Sequence, residues 1–160
     1  MTLIKDGRLI KDHWRRLGPS EPLPPAGDVI VPWARWPVEA EALQAHDGAV
    51  GVQIGPEETA EELAPILPAL GAIAIEFPVF KDGRGYSTAR LLRERYGFTG
   101  ELRATGDVLI DQLFFLQRVG FDVLELRPDQ KVQDALAALR QFSVRYQAGA
   151  DEAQPLYRRR

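Results

Sequence analysis

The sequence predicts an α/β fold in which parallel βα repeats form an incomplete TIM-barrel-like curl, preceded by an N-terminal β-hairpin. The first observation is a repeat. From residue 29 onward an apolar run followed by a helix-like stretch recurs five times, and a glycine closes each of the first four repeats. Such alternation implies a parallel sheet with right-handed crossovers. The second is a polar residue at a matching place in four successive runs: Gln53, Glu76, Arg103 and Glu125. Side chains alternate across a strand, so these four are expected on one face. A sheet covered by helices on both sides is apolar on both. A shared polar face suits the inside of a βα barrel, where functional groups gather near the C-terminal strand ends. The third is size. Five units in 160 residues do not close an eight-stranded barrel, so a partner subunit is expected to complete or cover the curl. The competing topology is a flavodoxin-like doubly wound sheet.

Each element follows from local chemistry. In LIKDGRLIKD (residues 3–12) two half-apolar runs flank Asp6-Gly7, a pair suited to a type I′ turn because both central residues need positive φ. Residues 18–28, GPSEPLPPAGD, read as an extended connector outside any sheet interior, since proline fixes φ and removes donors. The strands are VIVPW (29–33), VGVQI (50–54), AIAIEF (72–77), ELRAT (101–105) and DVLEL (122–126). Helices are expected at about 37–46, 57–70, 86–96, 107–119 and 130–146, with Gly48, Gly71, Gly97 and Gly120 as left-handed caps. Pro56 suits the first turn of the second helix, whereas Pro65 and Pro68 should kink or shorten it. Asp107 is the expected N-cap of the fourth. The fifth is amphipathic, with Val132, Ala135, Leu136, Leu139, Phe142 and Tyr146 on one stripe. One domain over residues 1–146 and a flexible polar tail over 147–160 complete the organisation.

Composition removes several functions. Twenty Lys+Arg against 23 Asp+Glu give a formal charge of −3, which argues against a dedicated nucleic-acid binder. Absence of cysteine excludes disulfides, cysteine-ligated zinc, iron–sulfur centres and thiol catalysis. No apolar run is long enough to span a bilayer, and the first residues lack a signal-peptide pattern, so a cytoplasmic protein with no membrane partner is expected. His13 and His46 have no partner at metal-ligand spacing and read as structural. Ser20, Ser87 and Ser143 lie in no nucleophile motif. Trp33, Trp36, Phe77, Phe80, Phe114 and Phe115 read as core or interface; one of the last two is expected to face a partner.

Two constellations remain. The segment FPVFKDGRGYSTARLLRERYG (77–97) follows the third strand and opens the third helix. Lys81, Arg84 and Arg90 are cationic, Gly83 and Gly85 permit close backbone approach, and a helix start offers free N–H groups. A phosphate, sulfate, sulfite or carboxylate fits such a loop; glycine serving only the turn, beside solvated arginines, is the structural explanation. The second constellation is Glu76, Arg103 and Glu125, joined by Asp107, Asp111 and Arg127. Two carboxylates around an arginine are either an acid/base pair with an oxyanion holder, or an ion network that holds the curl together. Nothing fixes an octahedral ligand set for magnesium, so no metal is expected.

The stretch EFPVFKDGRGYSTARLLRERYGFTGELRATGDVLIDQLFFLQRVGFDVLELR, residues 76–127, resembles the bacterial family called domain of unknown function 934. The IKDG hairpin, the proline connector and the early tryptophans also fit, so the resemblance covers roughly residues 1–146. Matching positions include Asp82, Gly83, Arg84, Gly85, Tyr86 and Ser87 in the loop. Others are Arg103, Gly106, Asp107, Asp111 and Gln112 at the fourth unit, and Phe121, Glu125 and Arg127 at the fifth. The resemblance implies a place in assimilatory sulfite reduction, because such proteins are encoded beside its genes. It carries over no catalytic assignment. If the chain handles electrons, a bound flavin or a partner carries them.

Three functions are therefore carried forward. One is an accessory protein, expected to be a homo-oligomer, that acts with the sulfite/nitrite reductase haemoprotein. In it Lys81, Gly83, Arg84, Gly85, Tyr86, Ser87 and Arg127 bind an anion or a partner. Another is a small enzyme for an anionic metabolite, with Arg84 and Arg103 as clamps, Glu76 or Asp107 as base and Glu125 orienting. The last is an interaction module with an inert polar network.

Overall fold

A computed structural model describes residues 2–79 and 81–141. β1 (Thr2–Lys5) and β2 (Arg8–Ile10) form the expected hairpin. Asp6 and Gly7 have φ of +52° and +72°, as a type I′ turn requires. β3 (Arg15–Arg16) precedes the connector. β4 (Val29–Pro32), β5 (Val50–Ile54), β6 (Ala72–Phe77), β7 (Glu101–Gly106) and β8 (Val123–Leu126) match the predicted strands. The helices are α1 (Trp36–Gln44), α2 (Ala60–Leu63), α3 (Arg84–Glu94), α4 (Leu113–Val119) and α5 (Val132–Gln141).

All strands among the described residues join one eight-stranded sheet in the order β2-β1-β8-β7-β6-β5-β4-β3. Strands β3 to β8 are parallel, and β1 is antiparallel to β8 and β2. The unreversed order from β4 to β8 excludes the doubly wound topology, whose strand order turns back on itself. The described helices cover one face only. Val31, Val52, Ile75, Ala104 and Leu124 pack there with Leu43, Leu63, Leu92, Leu116 and Leu139. The other face is concave and holds a separate small cluster of Trp14, Ile30, Ala72 and Ala74. The fold is the incomplete TIM-barrel-like curl, with its own hairpin extending it beyond β8.

The covalent chain itself shows that the sheet must curl. β2 and β3 are its two edges, seven inter-strand steps apart, which is about 34 Å if flat. Ile10 and Arg15 lie on those edges and are separated by five residues, which reach at most about 18 Å. The connection crosses the concave side: Asp12 bonds Arg103 of β7, and Trp14 packs on Ile30, Ala72 and Ala74.

Several expectations are corrected. β3 escaped the pattern because two residues carry no periodicity; Arg15 and Leu17 N–H donate to the carbonyls of Asp28 and Ile30, both at 2.9 Å. Pro56 lies in a turn before α2. Thr59 caps that helix, its Oγ1 accepting the Glu62 N–H at 3.2 Å. Pro65 and Pro68 confine the continuation to a 3₁₀ segment, Ala64–Ala69, as expected. Asp107 caps no helix: a 3₁₀ turn, Ile110–Gln112, leads into α4. Gly48, Gly97 and Gly120 have positive φ, but Gly71 does not. A Cβ on Gly71 would stand 3.1 Å from the Trp14 ring, so it is small to admit the tryptophan. Phe80, Phe142, Ser143, Tyr146 and the predicted tail lie outside the described residues.

Trp14 fills the floor of the curl with 8% exposure. Its replacement by alanine is expected to cost about 3–5 kcal/mol in urea unfolding; a loss below about 1 kcal/mol would mean that the concave face does not depend on it.

Candidate functional site

Strand register places Gln53, Ala74, Arg103 and Val123 side by side, with Glu76 two residues along from Ala74 and Glu125 two along from Val123. Gln53, Glu76, Arg103 and Glu125 thus share the concave face, as read from sequence. They do not form one cluster. Gln53 Nε2 donates to Glu76 Oε2 at 3.5 Å near the C-terminal mouth, where Glu76 is exposed. Arg103 has two carboxylate neighbours, but they are Asp12 and Glu101, neither Glu76 nor Glu125. Its Nη1 and Nη2 donate to Asp12 at 2.8 and 3.0 Å, and its Nε and Nη2 to Glu101 Oε2 at 3.3 and 3.0 Å. Glu125 accepts from Arg16 Nη1 and Nη2 at 3.3 and 2.5 Å.

Arg103 is 1% exposed and the most deeply buried charge described. Burial alone would push its pKa down; the Asp12 and Glu101 carboxylates outweigh this and hold it above the ordinary value. Burial likewise pushes Asp12 up, but the Arg103 guanidinium and the Trp14 N–H bring it below the ordinary 3.8. Asp12 and Arg16 were not read as site residues: they stand 91 and 109 residues from their partners. Glu101 was within reach, since residues two apart on a strand share a face.

At the C-terminal rim the structure does bring Asp107 and Arg127 together. Arg127 Nη1 donates to Asp107, and its Nε and Nη2 donate to Asp129 at 2.5 Å each. The Arg127 guanidinium holds the Asp129 carboxyl down at about 2, and Asp129 and Asp107 raise the Arg127 pKa. Gly106 makes this rim: its φ is +88°, and a Cβ there would stand 2.5 Å from the Phe77 carbonyl oxygen. Asp111 is exposed on the following turn.

The loop before α3 is arranged around Asp82. Its carboxylate accepts the Arg84 main-chain N–H at 3.1 Å and binds the Arg84 guanidinium, with Nη2 at 2.7 Å. Arg84 holds Asp82 down at about 2. The helix start thus already faces a carboxylate. Gly85 serves packing: a Cβ would lie 2.6 Å from the Phe77 ring, so glycine brings α3 close to β6. The Tyr86 ring also meets Phe77, at 5.3 Å, and burial pushes its phenol up. Gly83 faces open space, and Lys81 and Ser87 are exposed. Arg90 pairs with Glu94 along the helix at 3.4 Å.

Two further arginines went unread. Arg35, 7% exposed, donates to the carbonyls of Gly18 and Glu21 and to Glu39, tying the proline-rich connector to α1. Arg93 donates to the carbonyls of Gly120, Phe98 and Gly100 at 2.7–3.0 Å, pinning α3 to the N-terminal ends of β7 and β8. Both histidines secure one stretch: His13 meets Asp28 at 3.3 Å and His46 Nε2 lies 2.7 Å from the Gly27 carbonyl oxygen. Phe115 is exposed while Phe114 is half-buried. Among the described residues no three His, Cys, Asp or Glu side chains gather as metal ligands, and no helix is long and apolar enough to cross a membrane.

Residues 51–157, about two thirds of the chain, match the family model for a bacterial protein of unknown function, DUF934. No curated protein matches the chain. The match runs to residue 157, so it takes in most of the segment that the sequence reading left outside the resemblance. Arg103, Glu125 and the loop before α3 lie within it, whereas Asp12, Trp14 and Arg16 lie before it.

Arg103→Ala should cost about 3–5 kcal/mol, because Asp12 and Glu101 lose their partner where solvent is scarce. The triple change Asp12→Asn, Glu101→Gln, Arg103→Met should recover most of that loss in chemical unfolding. The Asp12 pKa is lowered on folding, so its contribution is complete above the unfolded value of about 3.9 and disappears as pH falls through the lower folded one. Asp12→Asn should therefore flatten the acid limb of the stability–pH curve; an unchanged limb would contradict the pairing.

Proposed function

The chain belongs to the DUF934 family of bacterial proteins, and from that premise we propose that it is a non-catalytic helper of assimilatory sulfite reduction, acting on the sulfite/nitrite reductase haemoprotein. The observation that favours a helper over an enzyme is the state of its charges. Arg103 is enclosed by Asp12 and Glu101, Glu125 is taken by Arg16, and Arg127 is taken by Asp107 and Asp129. A general acid or base must reach a substrate proton, and an anion clamp must offer unspent donors. These side chains spend theirs on the fold.

What supports the sulfite step is the family's genetic company, carried by the DGRGYS, RLLRER, GELRATGD and GFDVLELR segments. With no cysteine and no nucleotide fingerprint in the sequence, the reductase carries the electrons in this proposal. The proposal places the chain in the cytoplasm as a homo-oligomer, with neither nucleic acid nor membrane as partner.

Growth of a deletion strain tests it. Failure on sulfate and on sulfite with rescue by sulfide is expected; normal growth on all three would remove the pathway. A complementing copy with Glu76→Gln separates helper from enzyme, because Glu76 is the exposed carboxylate at the mouth. Full complementation is expected, and loss of growth with unchanged melting would favour catalysis.

A further inference from the structure

We propose that the free edge of β2 is a docking strand for an acidic, extended segment of a partner protein. The inference rests on the helper reading but not on the pathway, so growth phenotype and binding can fail separately.

Three observations carry it. The first is backbone geometry. Among the described residues β2 is a terminal strand, paired with β1 alone. A two-residue turn makes Lys5 and Arg8 the hydrogen-bonded pair, and bonding alternates along an antiparallel ladder. Leu9, opposite Ile4, therefore turns its N–H and C=O toward the open side. The second is side-chain exposure. Leu9 is 54% exposed, next to the fully buried Ile4. It offers an added strand apolar surface on the helix-bearing face, while Arg8 lies on the concave face with Lys5. The third is charge. Eight arginines elsewhere have carboxylate partners. Lys5, Arg8 and Lys11 have none among the described residues, on a chain whose formal charge is −3.

Strand addition draws affinity from main-chain bonds and selectivity from alternate side chains. An occupant of this edge needs a carboxylate opposite Arg8, on the face where Lys5 stands one strand behind, and an apolar residue next to it in sequence to cover Leu9. A second copy joined edge to edge is disfavoured, since it gathers the Lys5 and Arg8 cations of both hairpins on one face of the joined sheet.

The test titrates the full chain with a capped synthetic peptide of alternating Glu and Val, read by calorimetry. Binding is expected, weakened about tenfold by Arg8→Glu and by raised salt, and absent for the Lys/Val counterpart. Leu9→Pro removes the outward N–H without breaking the β1 ladder and should also abolish binding; thermal melting reports whether each variant folds. Silence of the wild-type chain would mark a guarded edge that only deters aggregation and overturn the proposal. Equal binding by folded Arg8→Glu, or equal binding of both peptides, would overturn it as well. Dimerisation by sedimentation that Leu9→Pro abolishes would assign the edge to a second copy instead.

Discussion

Ile10 and Arg15 stand five residues apart in the chain and on opposite edges of an eight-stranded sheet. That short tether is the constraint the rest of the structure obeys. A flat sheet would separate the edges about twice as far as the tether reaches. Curling solves the distance and creates a concave face that helices cannot cover. The tether fills it instead, placing Asp12 on Arg103, Trp14 on the alanines of β6, and Arg16 opposite Glu125. Buried charge is tolerated only when paired and hydrogen-bonded. Arg103 and Glu125 therefore depend on the same tether that bends the sheet.

The outline of this arrangement was legible from short-range pattern. Runs such as AIAIEF and VGVQI declare buried parallel strands, and one polar residue in each run correctly placed Gln53, Glu76, Arg103 and Glu125 on one face. What the pattern does not hold is partnership. Asp12 ends the segment that reads as a hairpin and Arg16 falls between hairpin and connector, and only the closed curl brings them to residues about a hundred positions away. A two-residue strand is likewise invisible until its neighbour exists. The glycines of DGRGYS show another limit: sequence suggests a ligand loop, whereas Gly85 is small because Phe77 lies against it.

The same economy shapes the functional reading. Arg103, Glu125 and Arg127, which look like site charges in one dimension, are committed to Asp12, Arg16 and Asp129 in three. Among the described residues, Lys5, Arg8 and Lys11 have no carboxylate partner, and they surround a strand edge that pairs with nothing described. The family match begins after the tether, at residue 51, so the segment that closes the concave face is also the part outside the matched range.

The claim that the tether closes the curl is tested most directly by the distance between positions 16 and 125. The chain has no cysteine, so Arg16→Cys with Glu125→Cys supplies two unique thiols. β3 and β8 are five strands apart, about 24 Å in a flat sheet. A bis-maleimide of less than half that reach should join the two thiols quantitatively within one folded chain, read by intact mass. Failure to form the cross-link within one chain of a folded double variant would contradict the curl.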